Sequence, residues 1–367
     1  MHILRAALAI VLGVMPVQAA AIKTGTIDAF EARPPIHALA GTMTAPLGLT
    51  PSEVRAAYHL PASGGSGTVA IISAFHHPSL ESDLSAFGAE FMLPGCTQAD
   101  GCLEIHRMAS GTKENAGWAL ESALDTEWAH AIAPSAKLLV VEAGSAKGGD
   151  LMKAVDYARG RPDVVAVSMS WGGDEFSGET KLDGHFRAAN SSPNRPMAFF
   201  ASSGDDGAGA SWPAVSLNVV AVGGTTLDIS KKPVSERAWA GSGGGVSAYE
   251  SEPPYQRGYS IPRSTGKRAI PDVAYAADPD HGFSVYHAKR WYVVGGTSAG
   301  APQWAAIEAL GRSVTPERLY ADKAGPAPGD YFRDIKSGSN GACAYYCEAR
   351  ARYDYVTGLG SPVTYRF

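Results

Sequence analysis

A chain of 367 residues with 45% hydrophobic content can bury a large core, as one large α/β domain or two small ones. Its formal net charge of -5 leaves no basic surplus for neutralising phosphates, which excludes nucleic acid as an expected partner. Charged residues make up only 18%, while 42 glycines and 24 prolines favour many turns around a compact scaffold.

Residues 1–19 read as a secretory signal peptide: Arg5 supplies the positive start, an apolar run extends from Ala6 to Met15, and small residues at Val17 and Ala19 suit cleavage after Ala19. The run is well short of the ~20 residues that span a bilayer, so a secreted or periplasmic protein without a membrane partner is expected. Residues 20–44, rich in proline, alanine and threonine, are too few to fold alone and are expected to be extended or disordered, ahead of one domain over 45–367. The four cysteines fall into two short-range pairs, Cys96 with Cys102 and Cys343 with Cys347, and disulfides are expected in both, as suits an exported chain. Neither pair has the C-x-x-C spacing of a zinc site.

From Thr68, TVAIISAF reads as a buried strand. SLESDLSAFGAEF then has helical spacing, ENAGWALESALDTEWAHAIA is a longer helix ending near Pro134, and AKLLVVEA is an apolar strand. The helix DLMKAVDYARG, the strand DVVAVSMSW, a helix around KLDGHFRAAN and the strands PMAFFASSG and LNVVAVGG follow. Alternating helices and strands that are apolar on both faces predict an α/β fold with a central, mainly parallel, doubly wound sheet between helical layers.

Residues 295–302 read GGTSAGAP, between the strand RWYVVGG and an apolar helical pattern. Ser298 therefore sits at a strand-to-helix turn, where free backbone N–H groups and the helix dipole favour a developing negative charge. A bare GTS would read as an ordinary helix cap; the longer context points to a nucleophile. G-T-S-x-x-x-P resembles the nucleophile motif of both subtilisins and sedolisins, the serine-carboxyl peptidases. A subtilisin needs an Asp ending its first core strand and an H-G-T-H-like histidine motif, and AIISAFHHPS supplies neither.

Glu121 and Asp125 stand one helical turn apart and share a face. Two close carboxyls resist double ionisation, hold a proton between them, and can act as general base and acid in the place of a histidine. ESALDTEWAHAIAPSAK resembles the sedolisin stretch E-x-x-L-D-x-E…A-x-A-P-x-A-K, which implies that Glu121 is the catalytic Glu and Asp125 the Asp behind it; Glu127 is the nearest rival, and His130 is expected to be packing or surface. ASSGDDGAG resembles the S-x-G-D-x-G motif, which implies Asp205, with Asp206 as the alternative, as a protonated hydrogen-bond donor to the oxyanion. SMSWGGDE resembles S-x-S-W-G-G, which implies Trp171, Gly172 and Gly173 as substrate-cleft residues. FRDIKSGSNG and RYDYVTGLGSP resemble the family's calcium loops. One Ca2+ is then implied, with side-chain ligands Asp334 and Asp354 and backbone ligands Ile335, Arg350 and Arg352; the two arginines replace the usual glycines.

The resemblance covers almost everything from Leu47 to Pro362 and lacks the family's long N-terminal prodomain. It implies a subtilisin-like three-layer fold and a monomeric, acid-active peptidase acting on peptide or protein substrates through an acyl-enzyme on Ser298. The competing expectation is a secreted pseudoenzyme that binds peptides in the same cleft.

Overall fold

The computed structural model describes residues 25–189, 196–311, 313–321 and 331–364, so the leader expected over 1–19 lies outside the described residues. The chain begins with strand β1 (His37–Met43), helix α1 (Pro51–Tyr58), β2 (Thr68–Ala74), α2 (Leu80–Glu90), β3 (Leu103–Arg107) and α3 (Ala116–Ile132). It continues through β4 (Lys137–Ala143), α4 (Gly148–Arg159), β5 (Val164–Met169), the two-residue β6 (Gly173–Asp174) and β7 (Ala198–Ser202). Next come β8 (Ser211–Trp212), β9 (Val220–Asp228), β10 (Ser235–Ala238), β11 (Gly245–Ser251), α5 (Pro254–Tyr259), β12 (Lys267–Ile270) and β13 (Val273–Ala276). The hairpin β14 (Phe283–His287) and β15 (Arg290–Gly295) then leads to α6 (Gly300–Ala309).

The central sheet runs β10-β9-β7-β5-β2-β4-β3, with β13 also paired to β9. Only β10 is antiparallel among these. This is the doubly wound sheet that the apolar strands predict. Every residue of β2 is buried, because helices cover both of its faces. One face packs against α3 and α6 around Trp128, Phe200, Val222 and Trp304, and the other against α4 around Leu139, Val155 and Phe199.

Three local readings differ from the spacing. The strand leading to Ser298 belongs to a separate sheet, β1-β15-β14, and the segment that precedes the expected domain contributes β1. LEIHR forms the edge strand β3, whose mixed polarity hides it from an apolar-run reading. KLDGHFRAAN gives only a 3₁₀ stretch, Glu179–Phe186, since Gly184 and Asp183 favour turns over a regular helix.

The core also buries an ion pair. Arg268 and Asp272 are both fully buried, with guanidinium–carboxylate contacts of 2.7 and 2.5 Å; the Tyr320 hydroxyl and the Ala221 N–H donate to the same carboxylate. Arg268→Met removes the cation and leaves Asp272 buried without it. The expected loss is about 3–5 kcal/mol, read as a lower denaturant midpoint at unchanged slope.

Candidate active site

The site forms beyond the carboxyl ends of β5 and β7, where open α/β sheets leave a crevice. Strand β15 delivers Ser298 into a single 3₁₀ turn, Thr297–Ala299, that runs straight into α6. The turn starts at Gly296, whose φ of 123° is left-handed; a Cβ there would lie 2.2 Å from the Pro35 carbonyl oxygen and 2.6 Å from an Asp205 oxygen. Glycine is required on both counts.

Helix α3 packs against α6 and presents Glu121 and Asp125. It starts on Asn115, whose side chain accepts from the N–H groups of Gly117 and Trp118. Both carboxyls are buried, at 1% exposure each. Burial, then repulsion from Asp125, holds Glu121 well above the usual carboxylate range, offset in part by the Ser298 hydroxyl. Burial raises Asp125 to about 8, against hydrogen bonds that favour its charge. Neither Glu121 oxygen, nor Asp125 Oδ2, makes a hydrogen bond of good geometry, although the Ser298 hydroxyl and Asp125 lie close enough to act on Glu121. Orphaned buried carboxyl oxygens on this scale are uncommon outside functional sites.

Asp125 Oδ1 accepts from Ser170 Oγ at 2.7 Å, and Ser170 Oγ lies 3.2 Å from the Ser298 carbonyl oxygen. Ser170 thus ties the carboxyl pair to the nucleophile turn. The sequence reading overlooked it, although it is the second serine of SMSWGG, next to Trp171.

Asp205 follows β7, with its side chain 6% exposed. Its Oδ1 accepts from the Thr297 N–H at 2.8 Å and the Thr297 hydroxyl at 2.7 Å, and its Oδ2 lies 3.1 Å from His37 Nε2. Burial raises its pKa against these contacts, which favour the charged form. Asp206 next to it is exposed. Glu127 lies away from this group, buried and accepting from the Tyr286 N–H at 3.0 Å. His130 is buried against the Pro94 carbonyl, 2.8 Å from its Nε2.

The residues of SMSWGG separate into two roles. The Trp171 indole is buried in the core, donating to the Ile72 carbonyl at 3.0 Å and packing near Trp212. Gly172 and Gly173 instead line the cleft, whose open part measures about 380 Å³. The chain's own residues 33–37 lie along it, with a turn at Pro35 where the Ile36 N–H donates to the Pro34 carbonyl at 3.0 Å. Arg33 and Gly172 exchange both backbone hydrogen bonds, at 3.0 and 3.1 Å, and Ser298 Oγ donates to the Pro35 carbonyl at 2.7 Å. No sequence motif signals these contacts, because they join residues far apart along the chain.

The subtilase-family model (peptidase S8) matches residues 111–324. The chain belongs to the subtilase family. Its sedolisin-type character follows from its relatives: it is 31% identical to kumamolisin of Bacillus sp. (strain MN-32) over 88% of this chain and 63% of that protein. It is 30% identical to sedolisin of Pseudomonas sp. (strain 101) over 54% of this chain and 39% of that protein. The solved Pseudomonas sedolisin, a serine-carboxyl proteinase complexed with two molecules of pseudo-iodotyrostatin, superposes with a TM-score of 0.73 at 25% identity, covering 87% of this chain and 96% of that one. The chain spans less than two thirds of the length of these two curated relatives.

Oxygen donors gather near the C-terminus. Asp354 is buried and accepts from the N–H groups of Arg350, Val356 and Thr357, and burial raises it to about 6. Asp334 accepts from the Arg352 N–H at 2.9 Å, with Lys336 Nζ 3.4 Å from its other oxygen. Among the described residues, the carbonyls of Ile335, Arg350 and Arg352 accept no hydrogen bond. The Arg350 side chain turns away to Glu348 and the Tyr345 ring. Arg352 does adopt a left-handed φ, 69°, which a glycine would take without strain. Carboxylates and backbone carbonyls are the donor types that a hard cation such as calcium takes, although both Asp354 oxygens already accept hydrogen bonds here.

Two other clusters do not suit a metal. Cys96 and Cys102 form a disulfide, as do Cys343 and Cys347, so neither Cys96 nor Cys102 has a thiolate to join His130. His77, Asp83 and His287 converge, but the Ser79 N–H donates to His77 Nδ1 at 3.2 Å; the proton of neutral His77 therefore sits on Nε2, the atom a metal would need.

Proposed function

We propose that this chain is an exported serine-carboxyl peptidase that hydrolyses peptide bonds through an acyl-enzyme on Ser298, at acidic pH. The observation that carries this reading is the Pro35 carbonyl, held 2.7 Å from Ser298 Oγ by a peptide paired to Gly172. The Ser298 hydroxyl thus reaches a peptide carbonyl that lies in the cleft.

In this reading Glu121 takes the Ser298 proton as Oγ adds to the carbonyl carbon, and returns it to the leaving amine; Asp125, held by Ser170, keeps the pair's second proton in place. The oxyanion is held by the Ser298 N–H and by protonated Asp205, which Thr297 orients. Calcium, held by Asp334, Asp354 and the carbonyls of Ile335, Arg350 and Arg352, would stiffen the C-terminal loops and take no part in proton transfer. Two disulfides support export, and no helix among the described residues is long and apolar enough to cross a membrane. Peptides or proteins are the substrates, and the chain acts as a monomer.

The test is turnover of a peptide library at acidic pH by the chain and its Ser298→Ala variant. Cleavage lost with Ser298→Ala supports the peptidase. Tight peptide binding without turnover by either would favour the peptide-binding pseudoenzyme. For calcium, chelation is expected to lower the thermal midpoint by about 5 °C or more, with recovery on adding Ca2+ but not Mg2+. An unchanged midpoint would remove the site.

A further inference from the structure

The loop 204–209 carries Asp205 from the end of β7 to the cleft, and its own side chains do little to fix it. Gly204, Gly207 and Gly209 all take left-handed φ values, 108°, 76° and 153°, and Ala208 adds only a methyl group. Fixing such a run costs more backbone entropy than fixing any other. Asp205 and Asp206 make no backbone-to-backbone hydrogen bond among the described residues, so the flanks set the apex. On one flank the Gly204 carbonyl accepts from the Gly243 N–H at 2.7 Å, and the Gly204 N–H donates to the Thr297 hydroxyl at 3.1 Å. On the other, the Gly207 N–H donates to the Gly241 carbonyl at 2.9 Å and the Ala208 N–H to the Asn340 carbonyl at 2.8 Å.

Asn340 stands near the tip of a hairpin over 338–349. The Asn340 N–H donates to the Cys347 carbonyl and the Ala349 N–H to the Gly338 carbonyl, each at 3.0 Å, and the Cys343–Cys347 disulfide closes the turn. Hairpin and loop approach closely. A Cβ on Gly207 would lie 2.6 Å from the Asn340 carbonyl oxygen, and one on Gly341 would lie 3.0 Å from Cys347 Sγ and 3.1 Å from the Ala208 Cβ. The Asn340 side chain is buried, and its Nδ2 donates to the Ser242 carbonyl at 2.8 Å. One residue thus grips two strips at once: the loop through its main chain, and residues 241–244 through its amide. Those four residues are the ones that pair with Gly204, Gly207 and Gly209.

We infer that Asn340 is a positioning residue for Asp205, and that the disulfide-closed hairpin beneath it is a strut that fixes the 204–209 loop and hence the aim of the Asp205 carboxyl at the Ser298 turn. The inference rests on the peptidase reading above. Asp205 Oδ1 meets the Thr297 N–H and hydroxyl, one residue before the nucleophile. Hydrogen bonds weaken steeply outside their ordinary geometry, so a loop free to drift would lose the oxyanion donor without losing the fold. The opposite wall of the cleft, Gly172 and Gly173, is held by β6 pairing with β8 and not by the hairpin. Loosening the strut therefore acts on kcat more than on KM. It also acts on the pH profile. The titratable groups that face Asp205 are His37, 3.1 Å away, and Glu121 from α3, and neither stands on the hairpin. Burial is what raises the Asp205 pKa, so a loop that admits water lowers it and moves the alkaline limb to lower pH.

The test compares the full chain with Asn340→Ala, by kinetics on a fluorogenic peptide across pH and by hydrogen exchange. Asn340→Ala should lower kcat about tenfold or more with KM little changed, and should shift the alkaline limb to lower pH. The Ala208 and Thr297 amides should exchange about tenfold faster or more, the second reporting the Asp205 contact itself, while the amides of β5 keep their protection. Arg268→Met weakens the core through contacts that do not include the loop, and it should leave the limb and the Thr297 amide unmoved. Cys343→Ala/Cys347→Ala opens the strut with Asn340 in place and should repeat the Asn340→Ala pattern; it decides the matter if Asn340→Ala does not fold. Parental kcat and limb in a folded Asn340→Ala chain, the same limb shift in Arg268→Met, or parental exchange at Ala208 and Thr297 in the strut variants would overturn the inference. If the parent turns over no peptide, the peptidase reading falls instead. Exchange then decides the strut alone: faster Ala208 and Thr297 amides in the strut variants support it, and unchanged ones refute it.

Discussion

Glu121→Gln is expected to lower kcat by about 10³-fold or more, while the thermal midpoint stays within a few degrees of the parent. The loss follows because glutamine keeps the shape but cannot accept the Ser298 proton. The stability follows from the burial: Glu121 makes no hydrogen bond of good geometry that glutamine would forfeit, and it is held buried with its charge disfavoured. Replacing a buried, unpartnered ionisable group by a neutral one removes a desolvation penalty. Asp125→Asn should cost less activity, since Asp125 acts on Glu121 and not on the serine, and Ser170 can still donate to the amide oxygen. Kinetics for both variants, together with thermal melts, check the pair. Equal losses from a general collapse of the fold would contradict this division of labour.

Asp205 carries the second large effect. Asp205→Ala removes an oxyanion donor and should reduce kcat by about 10²–10³-fold. Asp205→Asn should behave differently, because the amide N–H donates at every pH. Burial raises the Asp205 pKa, so the group keeps its proton on the acidic side and loses it as pH rises through that raised value. The sign is therefore an activity that falls towards alkaline pH in the parent. In Asp205→Asn this alkaline limb should vanish while acid-side activity remains. A parent and an asparagine variant with the same alkaline limb would place its origin elsewhere.

The fold was legible because its strongest signals are local. Apolar strands such as Thr68–Ala74 and Lys137–Ala143 alternate with helices, and parallel pairing buries them on both faces. Ser298, Glu121 and Asp205 each lie in a long motif, and it was the resemblance of those motifs to the sedolisin pattern, more than composition or periodicity, that pointed to them. What stayed hidden depends on residues distant in sequence. Ser170 is one serine among many until Asp125 and the Ser298 carbonyl meet it. Trp171 could equally face the cleft or the core, and the Ile72 carbonyl that holds its indole decides for the core. Pro35 and His37, in a stretch with no periodic signal, acquire meaning only when β1 lies against β15 and brings them over Ser298 and Asp205.

The central claim is that Ser298 is activated by carboxyls and not by a histidine. Its most direct test is the rate at which a peptide phosphonate modifies Ser298 at acidic pH, followed by intact mass and peptide mapping. The chains compared are the parent and its Glu121→Gln and His130→Ala variants. Modification is expected on Ser298, slowed about 10²-fold or more by Glu121→Gln and unaltered by His130→Ala. Labelling at the parental rate in Glu121→Gln, or its loss in a folded His130→Ala chain, would contradict the account.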